Sequence, residues 1–319
     1  MQDCAELAPV FEVFPLRFHF VAQEAIRFPA GKPANVLRGG FGLTFRRLVC
    51  IPECPGAETC TLRSSCAYAR AFEPRTGANG PSGLADAPRP FVFRARHLDS
   101  VLLNPGQPFH FDFHLFDVEQ PPFAQLIEVF AELGREGMGP RRGKADLVGA
   151  YVLDAAGCPR APLLVSGDAT RELALSPVVL PLRPATNSLS RITVHFVTPT
   201  ELKTAGGLAS RPDFPILFSR IRDRISTLKA IYGRGPLKID FQAMAKRAES
   251  VVMVHSDLRH IRIERCSSRT GQAHPLGGFT GTVEYEGELA EFLPYLQAAR
   301  WTGVGRQTVW GKGEIAVPA

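Results

Sequence analysis

Phe14, Leu16, Phe18 and Phe20 alternate with polar positions in the run from Val13 to Val21. A two-residue period is that of a half-buried strand, so Arg17 and His19 share the face opposite the phenylalanines. The run Asn35 to Cys50 changes period. Leu37, Phe41, Phe45 and Leu48 fall on one side at helical spacing, while the glycines within it weaken the N-terminal half of that helix. Arg38 and Arg46 then lie within about a quarter turn of each other at ~100° per residue. Residues 50–90 are rich in Cys, Gly and Pro and read as an irregular insertion. Short strands follow at FVFRAR and FHFDFHLF. Phe123, Leu126, Ile127, Phe130 and Leu133 mark a second helix. The loop GREGMGPRRGK leads into the strand DLVGAYVL. The order strand–helix–strand–strand–helix–strand is the split βαβ pattern of a ferredoxin-like domain.

Residues 175–188 are Pro-rich, break both periods and read as a linker. The same order then repeats. SRITVHFV is a strand, and Phe214, Leu217, Phe218, Ile221, Ile225 and Leu228 mark a helix. VVMVHSDLRHIRIER and FTGTVEYEG are strands, residues 289–296 a helix, and the last segment a final strand. The letters repeat as well: FHFVAQEAIR from Phe18 aligns with VHFVTPTELK from Val194, pairing His19 with His195 and Phe20 with Phe196. The expected fold is therefore α+β, with two tandem ferredoxin-like domains. Residues 1–180 form the first, carrying the Cys-rich insertion, and 187–319 form the second.

With 319 residues the chain has room for two such cores. No stretch approaches the ~20 apolar residues of a membrane helix. The opening MQDCAELAPVFEVF lacks the basic start of a secretory signal, so a cytoplasmic, membrane-free protein is expected. Charge changes the picture more. Lys and Arg number 37 against 31 acids, a net +6, and only seven of the 37 are Lys. Arg is the residue for planar, bidentate contacts to phosphate and for stacking on bases. Such a surface suits a polyanion, nucleic acid first, although a GC-rich genome would also favour Arg.

Four of the seven cysteines, Cys50, Cys54, Cys60 and Cys66, crowd into one segment as C-x3-C-x5-C-x5-C. In a reducing compartment that points to metal rather than disulfides. Four thiolates satisfy a tetrahedral structural zinc; they could equally hold an iron–sulfur cluster. The alternation HFDFH places His110, Asp112 and His114 on one strand face, more often a polar sheet face than a metal site. Near the C-terminus, GVGRQTVWGKG contains Gly303, Gly305, Gly311 and Gly313. Free N–H groups in such a loop can hold an anion, though the spacing is not that of a Walker loop.

The second half, RIERCSSRTGQAHPLGGFTGTVEYEGELAEFLPYLQAARWTGVGRQTVWGKGEI, resembles the C-terminal domain of the CRISPR-associated endoribonucleases that process precursor repeat RNA. VLRGGFGLTFRRLVC, HFVTPTELK and DFPILFSRIRDRISTLKAIYG are similar to the same family, so the resemblance covers nearly the whole chain. It implies a RAMP-superfamily protein that binds the hairpin of a CRISPR repeat and cuts at its 3′ base. The chemistry it implies uses no metal cofactor: the ribose 2′-OH attacks the adjacent phosphate, leaving a 2′,3′-cyclic phosphate and a 5′-OH. That reaction needs a base near the 2′-OH, a donor for the leaving oxygen and cations for the growing charge.

Many members carry a His in or just after the first helix. Here residues 35–96 contain none, and Leu43 stands where relatives often have it. The expected catalytic pair is instead His19, as base or proton donor, with Arg38 stabilising the phosphorane. Arg17, Arg46, Arg47, Arg141, Arg142, Lys144, Arg269, His274, Arg306 and Lys312, with Gly303, Gly305, Gly311 and Gly313, are expected to line the RNA, mainly at phosphates. The expected partners are the repeat hairpin and other CRISPR effector subunits, with no DNA. Two other readings stay open: a non-catalytic repeat-RNA-binding subunit, and an iron–sulfur protein with a basic surface.

Overall fold

The computed structural model describes residues 9–51, 54, 56, 59–74, 87–165, 168–169, 175–204, 206–266 and 273–318, without the side chains of 165, 168–169, 265–266 and 273–275. The chain divides into two compact units. One is made of residues 13–178 together with 309–311. The other is made of 1–12, 179–308 and 312–319.

The first unit is built on β1 (Val10–Ala22) and α1 (Pro33–Val49). After them come the short α2 (Ala67–Phe72), β2 (Phe91–Arg94), β3 (Pro108–Leu115), α3 (Phe123–Glu136), β4 (Ala145–Leu153) and β5 (Pro159–Val165). The antiparallel sheet runs β2-β3-β1-β4-β5. Its first four strands have the order of a ferredoxin-like sheet; β5 extends it past β4, and the short strand at residues 168–169 pairs with the end of β5. Phe18, Phe20, Phe111 and Phe113 project to one face and are buried with the apolar sides of α1 and α3. Phe18 and Phe130 approach to 4.4 Å between ring centres, and Phe41 stacks on Phe130 at 5.0 Å. One glycine of α1 has a packing reason. A Cβ on Gly40 would lie 2.4 Å from Leu133 Cδ1, so its absence lets α1 and α3 come together.

The second unit repeats the plan. β6 (Arg191–Thr200) precedes α4 (Phe214–Tyr232), α5 (Phe241–Ala248), β7 (Val252–Ile261), β8 (Gly278–Glu286), α6 (Leu293–Thr302) and β9 (Ile315–Ala316). The antiparallel sheet order β7-β8-β6-β9 is the same ferredoxin-like order. α4 buries Phe214, Leu217, Phe218, Ile221, Ile225 and Leu228. Phe218 meets Phe292 at 4.6 Å between ring centres. α5, absent from the sequence expectation, is capped by Asp240, whose carboxylate accepts from the Gln242 and Ala243 amides. Among the described residues, no helix is long and apolar enough to cross a membrane.

Candidate functional site

His19 lies on the polar face of β1, directly opposite His110 on β3. The two imidazoles sit 5.5 Å apart between centres, and Tyr151 of β4 meets His19 edge-on at 5.5 Å. His97 stacks on His110 at 4.4 Å and donates from Nε2 to the His110 carbonyl oxygen at 2.8 Å. Arg17 grips Asp112 through two hydrogen bonds, 2.7 and 2.9 Å. This cluster is a polar sheet face knitted to itself. The Asp112 carboxylate is occupied by Arg17, and His114 is buried. Among the described residues no group of three or more His, Cys, Asp or Glu side chains is set to hold a metal.

Burial, and then His97 and Arg17 nearby, push the His110 imidazole down to about 4. Burial, and then Arg17, also lower His19. Both rings are therefore neutral near pH 7. An unfolded imidazole titrates near 6.5 and takes its proton first as pH falls. Stability is thus undiminished above about pH 6.5 and is lost on descending toward pH 4. The melting temperature should fall between pH 6.5 and 4.5, and His110→Asn should flatten that fall in thermal denaturation across the range.

Arg38 does not join His19. β1 turns Phe18 and Phe20 toward α1 and α3, so by alternation His19 points away from α1. The expected pair sits on opposite faces of one sheet, a correction that follows from the strand period itself. Arg38 instead places its guanidinium 5.5 Å from the ring centre of Phe72 and 5.9 Å from that of Trp310. Trp310 belongs to the tip of the glycine segment, residues 309–311, which is part of this unit. The fit there is close, since a Cβ on Gly311 would lie 2.7 Å from the Ala34 Cβ. About two turns of helix beyond Arg38, Arg46 lies 5.9 Å from the Tyr68 ring centre, and Tyr68 stacks on Phe72 at 5.0 Å. Burial, and then Glu73, raise the Tyr68 phenol, so it stays protonated. Tyr68, Phe72 and Trp310 were missed from the sequence, because the short α2 that carries the first two has little periodicity to read. Leu43, also on α1, is 72% exposed and serves no core.

The other expected contacts divide. Arg47 is taken by Glu132 and Glu136 of α3, at 3.1 and 2.7 Å. Arg141, Arg142 and Lys144 are exposed on the loop after α3, and the Met138–Gly143 bridge closes that loop. It docks on residues 24–27: a Cβ on Gly143 would lie 2.3 Å from the Ala25 carbonyl oxygen. In the second unit, Arg306 pairs with Glu201 at 3.2 Å. Lys312 is 4% exposed, buried rather than offered to a backbone phosphate. The glycine segment spends amides on the protein. Val304 donates to Gly313, Gly313 to Pro199 and Arg306 to Glu201, at 2.9 to 3.0 Å. Gly303 caps α6 with φ of 67°. His195 meets Thr282 Oγ1 at 3.0 Å. Arg269 lies outside the described residues, and His274 is described only in its backbone, on the strand 273–275.

Cys50, Cys54, Cys60 and Cys66 all border one small cavity beside Arg46 and Tyr68. All four thiols are free and half-buried. Burial, and then contact with Cys54, push the Cys50 thiol up to about 12. Cys54 is lowered, chiefly by the Gly56 amide.

Comparison with known proteins adds family and fold. Residues 194–315 match the family model of the CRISPR-associated endoribonuclease Cas6, and residues 11–174 match a model described as an N-terminal domain. Cas6 of Thermus thermophilus is 16% identical, with 96% of this chain and 98% of that one aligned at a TM-score of 0.53. A Cas6 product complex is 18% identical over 96% and 99% of the two chains, at 0.55. A partial Cas6-RT-Cas1–Cas2 complex is 11% identical at 0.56; this chain covers 47% of that protein's length. At these identities the structures speak for the fold. No curated protein matches the chain.

Proposed function

Because the chain belongs to the CRISPR-associated Cas6 endoribonucleases, the enzymes of CRISPR RNA maturation, we propose that it binds the repeat hairpin and cuts it without a metal cofactor. In this reading the 2′-OH attacks the neighbouring phosphate, and the 5′ oxygen leaves with a proton. The products carry a 2′,3′-cyclic phosphate and a 5′-OH. The observation behind the reading is Arg38 on α1, bracketed by Phe72 and by Trp310 of the glycine segment. A planar cation held by aromatic rings is oriented before the substrate arrives, which is what stabilises charge that develops only in the transition state. Arg46, beside Tyr68, adds a second cation on the same helix, and the exposed loop with Arg141, Arg142 and Lys144 suits backbone contacts along the hairpin. Repeat RNA, and the other CRISPR proteins of an effector complex, are the partners this reading names.

The test is cleavage of 5′-labelled repeat RNA in EDTA, beside RNA carrying a 2′-deoxy substitution at the scissile nucleotide. One cut, abolished by the substitution, is the expected result. His19→Ala should keep the rate within about threefold, far from the ~10²–10⁴-fold loss that follows removal of a general base. A second reading is favoured by the absence of His from α1 and the exposed Leu43 in its place. In it the chain holds the repeat without cutting. Tight hairpin binding with no cleavage would establish that reading and overturn the first.

A further inference from the structure

We propose that Cys50, Cys54, Cys60 and Cys66 together bind one zinc ion, which ties the C-terminal end of α1 to the start of α2. The four thiols are spread over 17 residues of chain, and the fold brings all of them to the wall of one cavity. Cys50 is the residue at which α1 ends, and Cys66 is the residue from which α2 begins. The remaining two lie between them in the chain. Cys54 donates its amide to the Ile51 carbonyl and Cys60 to that of Gly56, both at 3.1 Å. The thiols border the cavity without forming a finished coordination sphere among the described residues, and rotation about each Cα–Cβ bond would carry the sulfurs inward onto a cation.

The cavity volume is about 10 Å³, close to the ~10–15 Å³ that admits a single water, which suits a lone ion. Four thiolates around one ion is the donor set of a structural zinc site, closed to substrate. The segment also needs such a tie. Cys50 to Cys66 buries no large apolar side chain among its described residues, and Ile51 and Leu62 are exposed. Phe72 packs α2 on Phe41 and Phe45 of α1, but the stretch between the two helices has little besides its thiols and a few backbone hydrogen bonds to fix it.

The test is metal analysis of the purified, reduced protein by plasma mass spectrometry, with X-ray absorption at the zinc edge. One zinc per chain and a shell of about four sulfurs at ~2.3 Å is the expected result. Cys60→Ser should lose the zinc and lower the melting temperature. If that variant does not fold, titrating the wild-type thiols with an organomercurial should release one zinc per chain instead. Metal-free protein with four titratable thiols, iron with acid-labile sulfide, or a zinc shell of nitrogen and oxygen would each overturn the site. None of these readings depends on cleavage, so the zinc can fail while the nuclease stands.

Discussion

Arg38→Ala should slow single-turnover cleavage of the repeat about 10²–10³-fold, the usual cost of removing one preorganised donor from a developing anion. The guanidinium lies between Phe72 and Trp310, so its position is set by packing before RNA arrives. Hairpin affinity should change far less, because one phosphate contact among many contributes little to a binding dominated by summed charge. Arg38→Lys should restore only part of the rate. It keeps the charge, but a point cation lacks the planar fork that two rings can hold. The informative quantity is the split between rate and affinity. Equal losses in both would make Arg38 a docking contact. A loss confined to rate makes it the cation of the chemical step. Thermal denaturation of both variants should match wild type closely, since Arg38 is a half-buried side chain at the edge of the phenylalanine cluster.

What was legible in the chain follows from how locally each feature is determined. The alternation of Phe14, Leu16, Phe18 and Phe20 needs no partner to be read, and β1 forms as its period says. α1 forms despite its glycines because Gly40 meets Leu133 of α3, a reason that exists only once the two helices are packed. β5 carries Pro159 and Pro162 and hides from any period-two reading, yet it pairs with β4, and on its other side residues 168–169 pair only with Leu164 and Val165, past both prolines, where proline is tolerated. The separation of His19 from Arg38 was available from the same alternation, had the helix been laid against the apolar face. The glycine segment was different. Its amides are answered by Pro199 and Glu201, about a hundred residues earlier in the chain. A glycine-rich run alone cannot distinguish amides held for an anion from amides spent on a distant strand end. Lys312 and Arg306 looked like phosphate contacts for the same reason. One is buried and the other is paired with Glu201.

That internal use of the glycines makes Gly313→Ala the most damaging small substitution to expect in the second unit. Gly313 has φ of 66°, where an L side chain costs roughly 1–2 kcal/mol. Its added Cβ would lie 1.9 Å from the Val304 carbonyl oxygen, backbone that cannot swing aside as a side chain can. Moving apart would break a pair of contacts. Gly313 donates its amide to Pro199 at 3.0 Å and its carbonyl accepts from Val304 at 2.9 Å. Strain and lost hydrogen bonds together should cost about 3 kcal/mol. For a unit of this size that is a fall in melting temperature of roughly 6–12 °C. Gly206→Ala is the matched control, with nothing within 4 Å of its added Cβ, and should leave the melting curve in place. If Gly313→Ala melts with wild type, residues 303–313 are not packed as a rigid element. The loop would then be free to present its amides to a phosphate, as the sequence alone suggested.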